Sequence, residues 1–267
     1  MEQAFKYRFY PTPEQETLLR RTMGCARLVY NRALAARTEA WYERLELVDY
    51  IKTSALLTQW KKQEDLQFLN EVSSVALQQG LRYLQKAFSN FFSGRAKYPN
   101  FKKRHNGGAA EFTKSAFRWK DGQVWLAKCA QALPIRWSRV LPDGCEPSTV
   151  TVKLDPRGRW HVSLLVDNPN IQHLPCCNKS VGLDVGISSL LTTSDGDKVS
   201  NPKHFKRRYR KLKQVQKALS RKKKGSSNRH KARVKVALAH GKITDSCLDF
   251  LHKLTTQLVR ENARHRC

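Results

Sequence analysis

Residues 5–10, FKYRFY, alternate apolar and polar side chains and predict a β-strand. The segment TPEQ follows. Thr12 is placed as a helix N-cap, Pro13 suits the first helical position, and Gln15 completes a capping box. Apolar residues then recur at helical spacing through LLRRTMGCARLVYNRALAARTEAWYERL, and Arg20, Arg21, Arg27 and Arg32 leave that helix basic. A second helix reads from about Val72 to Phe92, with Leu77, Leu81, Leu84, Phe88 and Phe91 at i, i+3 and i+4 spacing. Such a stripe predicts packing between helices.

At Gly94 the texture changes. SGRAKYPNFKKRHNGGAAEF is loop-like, basic and aromatic. Beyond it, FRWKDGQVWL (117–126) predicts a hairpin with an Asp121–Gly122 turn, and TVTVKLDPRGRWHVSLLV (149–166) predicts a longer one. Residues 169–180 read as a linker. SVGLDVGISSLLTTSDGD then predicts a strand, a short break, a second strand and a turn.

After that turn the chain becomes intensely basic. Residues 203–240 hold sixteen Lys and Arg and no Asp or Glu. Phe205, Tyr209, Leu212, Val215 and Leu219 recur at helical spacing, GSSN (225–228) interrupts them, and Ile243, Cys247, Phe250, Leu251, Leu254 and Leu258 continue the pattern. This predicts a helical hairpin with one apolar stripe and a wide cationic face. A charge run is usually a solvated face, but one this long without a counter-charge repels itself unless an anion neutralises it.

Charge dominates the composition. Among 267 residues, 50 Lys and Arg stand against 22 Asp and Glu, a net +28. At 40% hydrophobic the chain can bury a core. So basic a protein calls for an anionic partner, and nucleic acid suits it better than a membrane surface. No apolar run approaches the ~20 residues that span a bilayer. The N-terminus lacks an apolar signal core, so no secretion is expected and the chain reads as cytoplasmic. The seven cysteines form no C-x-x-C pair, and reduced thiols without metal are expected.

One residue breaks the pattern. Asp184 lies among Val181, Leu183, Val185 and Ile187, inside what reads as a buried strand. A buried carboxylate is costly, so it neutralises, pairs or binds metal. A strand-end Asp held by backbone donors is the plain alternative.

Four stretches occur together and in order: RFYPTPEQETLLRRTMGCARLVYNRAL, YPNFKKR, VGLDVGISSLLTTSDGD, and the segment from YRKLKQVQKALSRKKKGSSN through FLHKLTTQLVREN. With them the chain, up to about Asn262, resembles the TnpB or OrfB-type transposase family of bacterial insertion sequences, relatives of the type V CRISPR effectors. The resemblance implies an RNA-guided DNA nuclease of α+β multidomain architecture. A β-barrel wedge-like domain (1–11 and 94–168) would carry an inserted helical recognition-like domain (12–93). An incomplete RNase H-like RuvC domain (181–267) with the basic hairpin would follow. Asp184 falls on the family's first catalytic aspartate, which binds Mg2+.

The resemblance also implies what should follow. The family pattern continues into a strand with a glutamate, a four-cysteine zinc module and a final aspartate. Here ARHRC ends the sequence instead, as a frameshift or premature stop would leave it. Glu261, Asp245 and Asp249 read as surface residues rather than substitutes, and Cys267 cannot replace four cysteines. A single carboxylate cannot hold a metal pair, so the expectation is a Mg2+ site left incomplete, no zinc module and no DNA cleavage by this chain alone.

Binding of guide-like RNA and DNA is expected to persist. The candidates for phosphate contact are Arg20, Arg27, Lys102, Lys103, Arg104, Lys206, Arg207, Arg210, Lys213, Arg221, Lys222, Lys223 and Lys224. Phe101, Phe117, Trp119 and Trp125 stand among cations and could stack on unpaired bases, although core packing accounts for most of the tryptophans. Two other readings stay open. One is a non-catalytic RNA- or DNA-binding regulatory module. The other is a transposase performing strand transfer itself, for which Tyr209 is a poor nucleophile because it belongs to the apolar stripe.

Overall fold

The computed structural model describes residues 1–104, 107–169 and 179–262. It divides into two compact units, Met1–Pro169 and Asn170–Cys267. Cys176, Cys177 and Cys267, most of the expected linker and the final five residues lie outside the described residues.

In the first unit, β1 (Glu2–Phe9) leads into α1 (Pro13–Arg44), α2 (Tyr50–Trp60), a 3-10 segment (Glu64–Asn70) and α3 (Ser74–Phe92). The chain then forms β2 (Gly108–Thr113), β3 (Phe117–Lys120), β4 (Gln123–Leu126), β5 (Ile135–Arg136), β6 (Pro147–Leu154) and β7 (Trp160–Asp167). Five strands make one antiparallel sheet in the order β2-β6-β7-β1-β5, and β3 pairs with β4 as a separate hairpin. The expected barrel is therefore corrected to an open sheet with β2 and β5 at its edges. The two-residue β5 reaches only Arg8 and Phe9 of β1 and is too short to carry the sheet round to closure.

Alternation decides which face is buried. Phe5, Tyr7 and Phe9 of β1 point the same way as Trp160, Val162, Leu164 and Val166 of β7. Leu19 and Met23 of α1 and Val124 and Leu126 of β4 complete that core. The β6–β7 turn is locked by Asp155, whose Oδ1 accepts from the Arg157 and Arg159 amides at 2.9 Å each. The Asp121–Gly122 turn has positive φ at both positions (49° and 70°), as a two-residue hairpin requires.

The helix starts as the sequence predicts. The Thr12 hydroxyl accepts from the Gln15 amide at 3.3 Å, and the Gln15 side chain accepts from the Thr12 amide at 3.2 Å. Farther along, Ala26, Val29, Tyr30, Ala33 and Leu34 of α1 meet Leu77, Leu81, Leu84 and Phe88 of α3 in a second core. A Cβ on Gly80 would sit 3.4 Å from the Ala26 carbonyl oxygen, so a small residue permits this close approach. The helix α2 is not foreseen from apolar spacing; its signal is Asp49, which caps it by accepting from the Lys52 amide at 2.9 Å.

The second unit holds β8 (Leu183–Asp184), β9 (Ser189–Thr193) and β10 (Lys198–Ser200), an antiparallel sheet in the order β10-β9-β8. Helices α4 (His204–Ser220) and α5 (Ser227–Glu261) form the predicted hairpin. Its apolar stripe is shorter than expected. Leu212 is buried and Val215 and Leu219 are half-buried, but Phe205 and Tyr209 are 55% and 45% exposed. No described helix is long and apolar enough to cross a membrane.

Candidate nucleic-acid interface

The segment YPNFKKR is strapped across two helices of the first unit. The Tyr98 hydroxyl hydrogen-bonds Thr38 of α1 at 2.7 Å, and its ring meets Phe88 and Phe91 of α3 edge-on at 5.5 and 5.3 Å. Pro99 is buried. Four residues from Tyr98, the Lys102 amide donates to Asn31 Oδ1 at 2.8 Å, and Asn31 Nδ2 donates back to the Lys102 carbonyl at 3.1 Å.

This strap walls one side of a cleft of about 310 Å³ between α1, α3, β2 and β6. Arg27, Lys102, Lys103 and Lys153 line it. Three of the four are sequence candidates brought together from α1 and the strap. Lys153 is the fourth, and it shares a face of β6 with Thr149 and Thr151, which becomes readable only once the buried face of that strand is known.

The chemistry of the cleft is not uniform. Although Lys102 is exposed as a residue, its ammonium lies 4.0 Å from the centre of the Tyr30 ring, and desolvation holds its pKa below the usual lysine range. Tyr83 also lines the cleft and donates a hydrogen bond to Glu111 Oε2. Burial first, and then the Glu111 carboxylate, push the Tyr83 phenol up to about 12. Glu111 is thereby engaged by a neutral donor, which leaves the positive charges of the cleft uncancelled by a direct ion pair with it.

The remaining first-unit candidates fall elsewhere. Arg20 is bound by Glu16 at 2.6 Å and lies over the Trp160 ring at 5.6 Å. Arg104 is exposed at the end of the strap. Phe101 is 56% exposed, whereas Phe117 and Trp119 pack against the sheet core. The Arg118 guanidinium covers the Trp125 ring at 4.8 Å.

In the second unit, Lys206, Arg210 and Lys213 follow helical spacing on the side of α4 away from Leu212 and Leu219, and Arg207 flanks them. Arg221, Lys222, Lys223 and Lys224 are all exposed in the interhelical turn. The turn is braced from within. Arg229 Nη1 donates to the Lys222 and Leu219 carbonyls at 2.8 and 3.1 Å, and Ser226 caps α5 by accepting from the Arg229 amide at 3.2 Å. Arg229 thus spends its charge on the turn's carbonyls, and its four predecessors are left facing solvent.

Asp184 is not where the apolar pattern predicts. It is exposed at the end of the two-residue β8, opposite Thr192, and Leu183, Val185 and Ile187 are 49%, 74% and 95% exposed. The buried-strand expectation is corrected: β9 covers β8 on one edge only, so its apolar residues find no second layer among the described residues. Asp249 pairs with Lys253 at 2.8 Å, and Glu261 accepts from Gln257 at 3.0 Å. Among the described residues, no three His, Cys, Asp or Glu are grouped to hold a metal ion. The described side chains therefore do not fit a magnesium pair. Cys25, Cys129, Cys145 and Cys247 are free thiols.

Comparison with known proteins sets these surfaces in context. Residues 163–266 match the OrfB family of IS605-type elements, described as "Probable transposase". Residues 1–46 match an associated family described as "Helix-turn-helix domain", although here they form β1 and the single long helix α1. A relative from Streptomyces pristinaespiralis, "Putative RNA-guided DNA endonuclease", is 57% identical over 98% of this chain. A second, "Putative RNA-guided DNA endonuclease InsQ" of Escherichia coli, is 32% identical over 98% of it. The chain spans 65% and 64% of the lengths of these two relatives. In fold it is similar to the protein in "Cryo-EM structure of the Cas12f1-sgRNA-target DNA complex", with a TM-score of 0.55 at 9% identity, covering 98% of this chain and 79% of that one. On these matches the chain belongs to the OrfB, or TnpB-type, transposase family of insertion sequences.

Proposed function

We propose that this chain binds RNA and DNA as the nucleic-acid-holding part of an RNA-guided DNA endonuclease. The observation that carries the reading is the convergence of Arg27, Lys102, Lys103 and Lys153 on one cleft. The exposed cations of α4 and its turn add a second phosphate-tracking surface. In this reading β1 and residues 94–168 serve as the wedge-like part, and residues 12–93 serve as the recognition-like part. Residues 181–267 belong to a RuvC-like nuclease domain, in which Asp184 is one metal-ligand carboxylate. The phosphate contacts are those of Arg27, Lys103, Arg104, Lys206, Arg207, Arg210, Lys213 and Arg221 through Lys224, with Lys102 contributing from its aromatic seat.

The test is affinity for a structured RNA and a duplex DNA across a salt series. Each bound phosphate steepens the fall of log K with log salt by about 0.9 on duplex DNA. A strongly negative slope, reduced in Arg27→Ala and Lys103→Ala, supports the reading. A flat slope sinks it.

A second reading is a binding module that does not cut, and it rests on the finding that no three His, Cys, Asp or Glu are grouped to hold a metal among the described residues. We expect this 267-residue chain to bind without Mg2+-dependent cleavage. Cleavage that disappears in Asp184→Ala would overturn that reading and leave the first one standing.

A further inference from the structure

The tryptophans of the first unit are not all core. Trp60 and Trp160 are 7% and 5% exposed, as packing residues should be. Trp137, just beyond β5, is 39% exposed, although two aromatic rings fix its orientation. Tyr7 meets it edge-on at 4.8 Å, and Trp119 meets it edge-on at 6.0 Å. The Arg139 guanidinium lies over the neighbouring Phe5 and Tyr7 rings at 4.9 and 5.9 Å.

These groups open onto a cavity of about 500 Å³, lined by Trp119, Trp137, Arg139, Val140, Asp143 and Glu146 among others. The loop that closes it is anchored. Leu141 is buried in the sheet core, and the Cys145 amide donates to the Pro142 carbonyl at 3.1 Å across a tight turn. The pocket is open to solvent and large enough to admit a planar group.

Its charge separates it from the basic cleft. One cation and two carboxylates line it, in a protein of net +28. Phosphate would be repelled by Asp143 and Glu146. A neutral aromatic ring would not be, and carboxylates accept hydrogen bonds from the exocyclic amino groups of bases. Partly exposed indole rings held rigid beside a guanidinium are a stacking platform for an unpaired base.

We infer that this pocket takes one unpaired nucleobase, stacked on Trp137 and enclosed by Trp119 and Arg139. The inference rests on the nucleic-acid-binding reading above and adds a base-recognising subsite to its phosphate-binding surfaces.

The test uses the full chain with three probes: an unstructured single-stranded RNA, a single-stranded DNA of the same sequence, and a duplex DNA. Trp137→Ala is expected to weaken single-strand binding roughly 5- to 150-fold, the range for losing one base stack. The salt slope and the duplex affinity stay unchanged, because no phosphate contact is lost. Trp137→Phe, which keeps a ring, retains most of the affinity. Loss on RNA alone assigns the base to RNA, whereas equal loss on both single strands assigns the site to any unpaired base. Unchanged single-strand binding in Trp137→Ala overturns the inference. So does an equal loss on duplex and single strand with a lowered melting temperature, which would mark Trp137 as structural.

Crosslinking of the unaltered protein to 4-thiouridine RNA gives an independent reading. Adducts within residues 119–146 support the subsite, and their absence overturns it. If the unaltered protein binds none of the three probes, the broader reading has failed, which is distinct from a pocket that fails while binding persists.

Discussion

The two units carry cations in opposite ways. In the first, two cores filled by residues such as Phe9, Val29, Leu77 and Leu164, each at most 1% exposed, fix the cleft before any ligand arrives. In the second, Leu191, Leu212, Ala232 and Ile243 are the buried hydrophobics among the described residues, and α4 and α5 hold their charges on a thin two-helix layer. The first unit arranges a few cations at set distances. The second presents many along a surface. Placement suits shape recognition, whereas number suits long-range attraction to a polyanion.

The largest effect that could break this contrast is on stability. Leu77→Ala empties a fully buried site between α1 and α3 and should cost about 2–5 kcal/mol in urea unfolding. Leu212→Ala, in the thinner layer, should cost less, because the helices can close over the gap. Equal costs would mean the second unit is as tightly packed as the first. Next in size, changing Arg221, Lys222, Lys223 and Lys224 together to Ala should make the duplex salt slope shallower by up to about 4, with melting unchanged. A slope that does not move would place phosphate binding wholly in the first unit.

Acid sharpens the comparison more gently. His161 of β7 has its pKa depressed to about 4, by burial first and then by Lys6 and Arg8. Its ordinary value is 6.5. The folded state therefore favours the neutral ring, and the unfolded chain takes up the proton first as the pH drops. The contribution is complete above pH 6.5 and drains away toward pH 4. Melting of the first unit should fall across that window, and His161→Gln should flatten the fall. The smallest effect is expected for Asn31→Ala. It removes two hydrogen bonds to the Lys102 backbone, each worth about 0.5–1.5 kcal/mol, and should lower RNA affinity at constant salt slope.

Much of the first unit is legible from local signals. Thr12, Pro13 and Gln15 mark the start of α1 because a capping box is a contact among neighbours. Asp121–Gly122 marks a hairpin because φ demands it. Closure of a barrel depends instead on pairing between distant edges, and no local pattern encodes how short β5 is. The cleft was half legible. Arg27 and the two lysines of the strap stand out as charge, but Lys153 and the aromatic seat of Lys102 depend on tertiary placement. Asp184 misled for a related reason: an apolar flank predicts burial only when another layer is there to supply it. Phe205 and Tyr209 repeat the lesson at the start of α4, where helical spacing alone cannot say which apolar residues are covered.

The strap across α1 and α3 has a kinetic consequence. Tyr98, Pro99 and the Asn31 clasp hold the chain of Lys102 and Lys103 in place before anything binds. A segment already ordered loses little conformational entropy when a ligand arrives. Such an advantage appears in how long a complex lasts rather than in how often partners meet, since encounter is governed by diffusion and charge. The hairpin cations would then govern capture, and seven residues of strap would govern the lifetime of what has been caught.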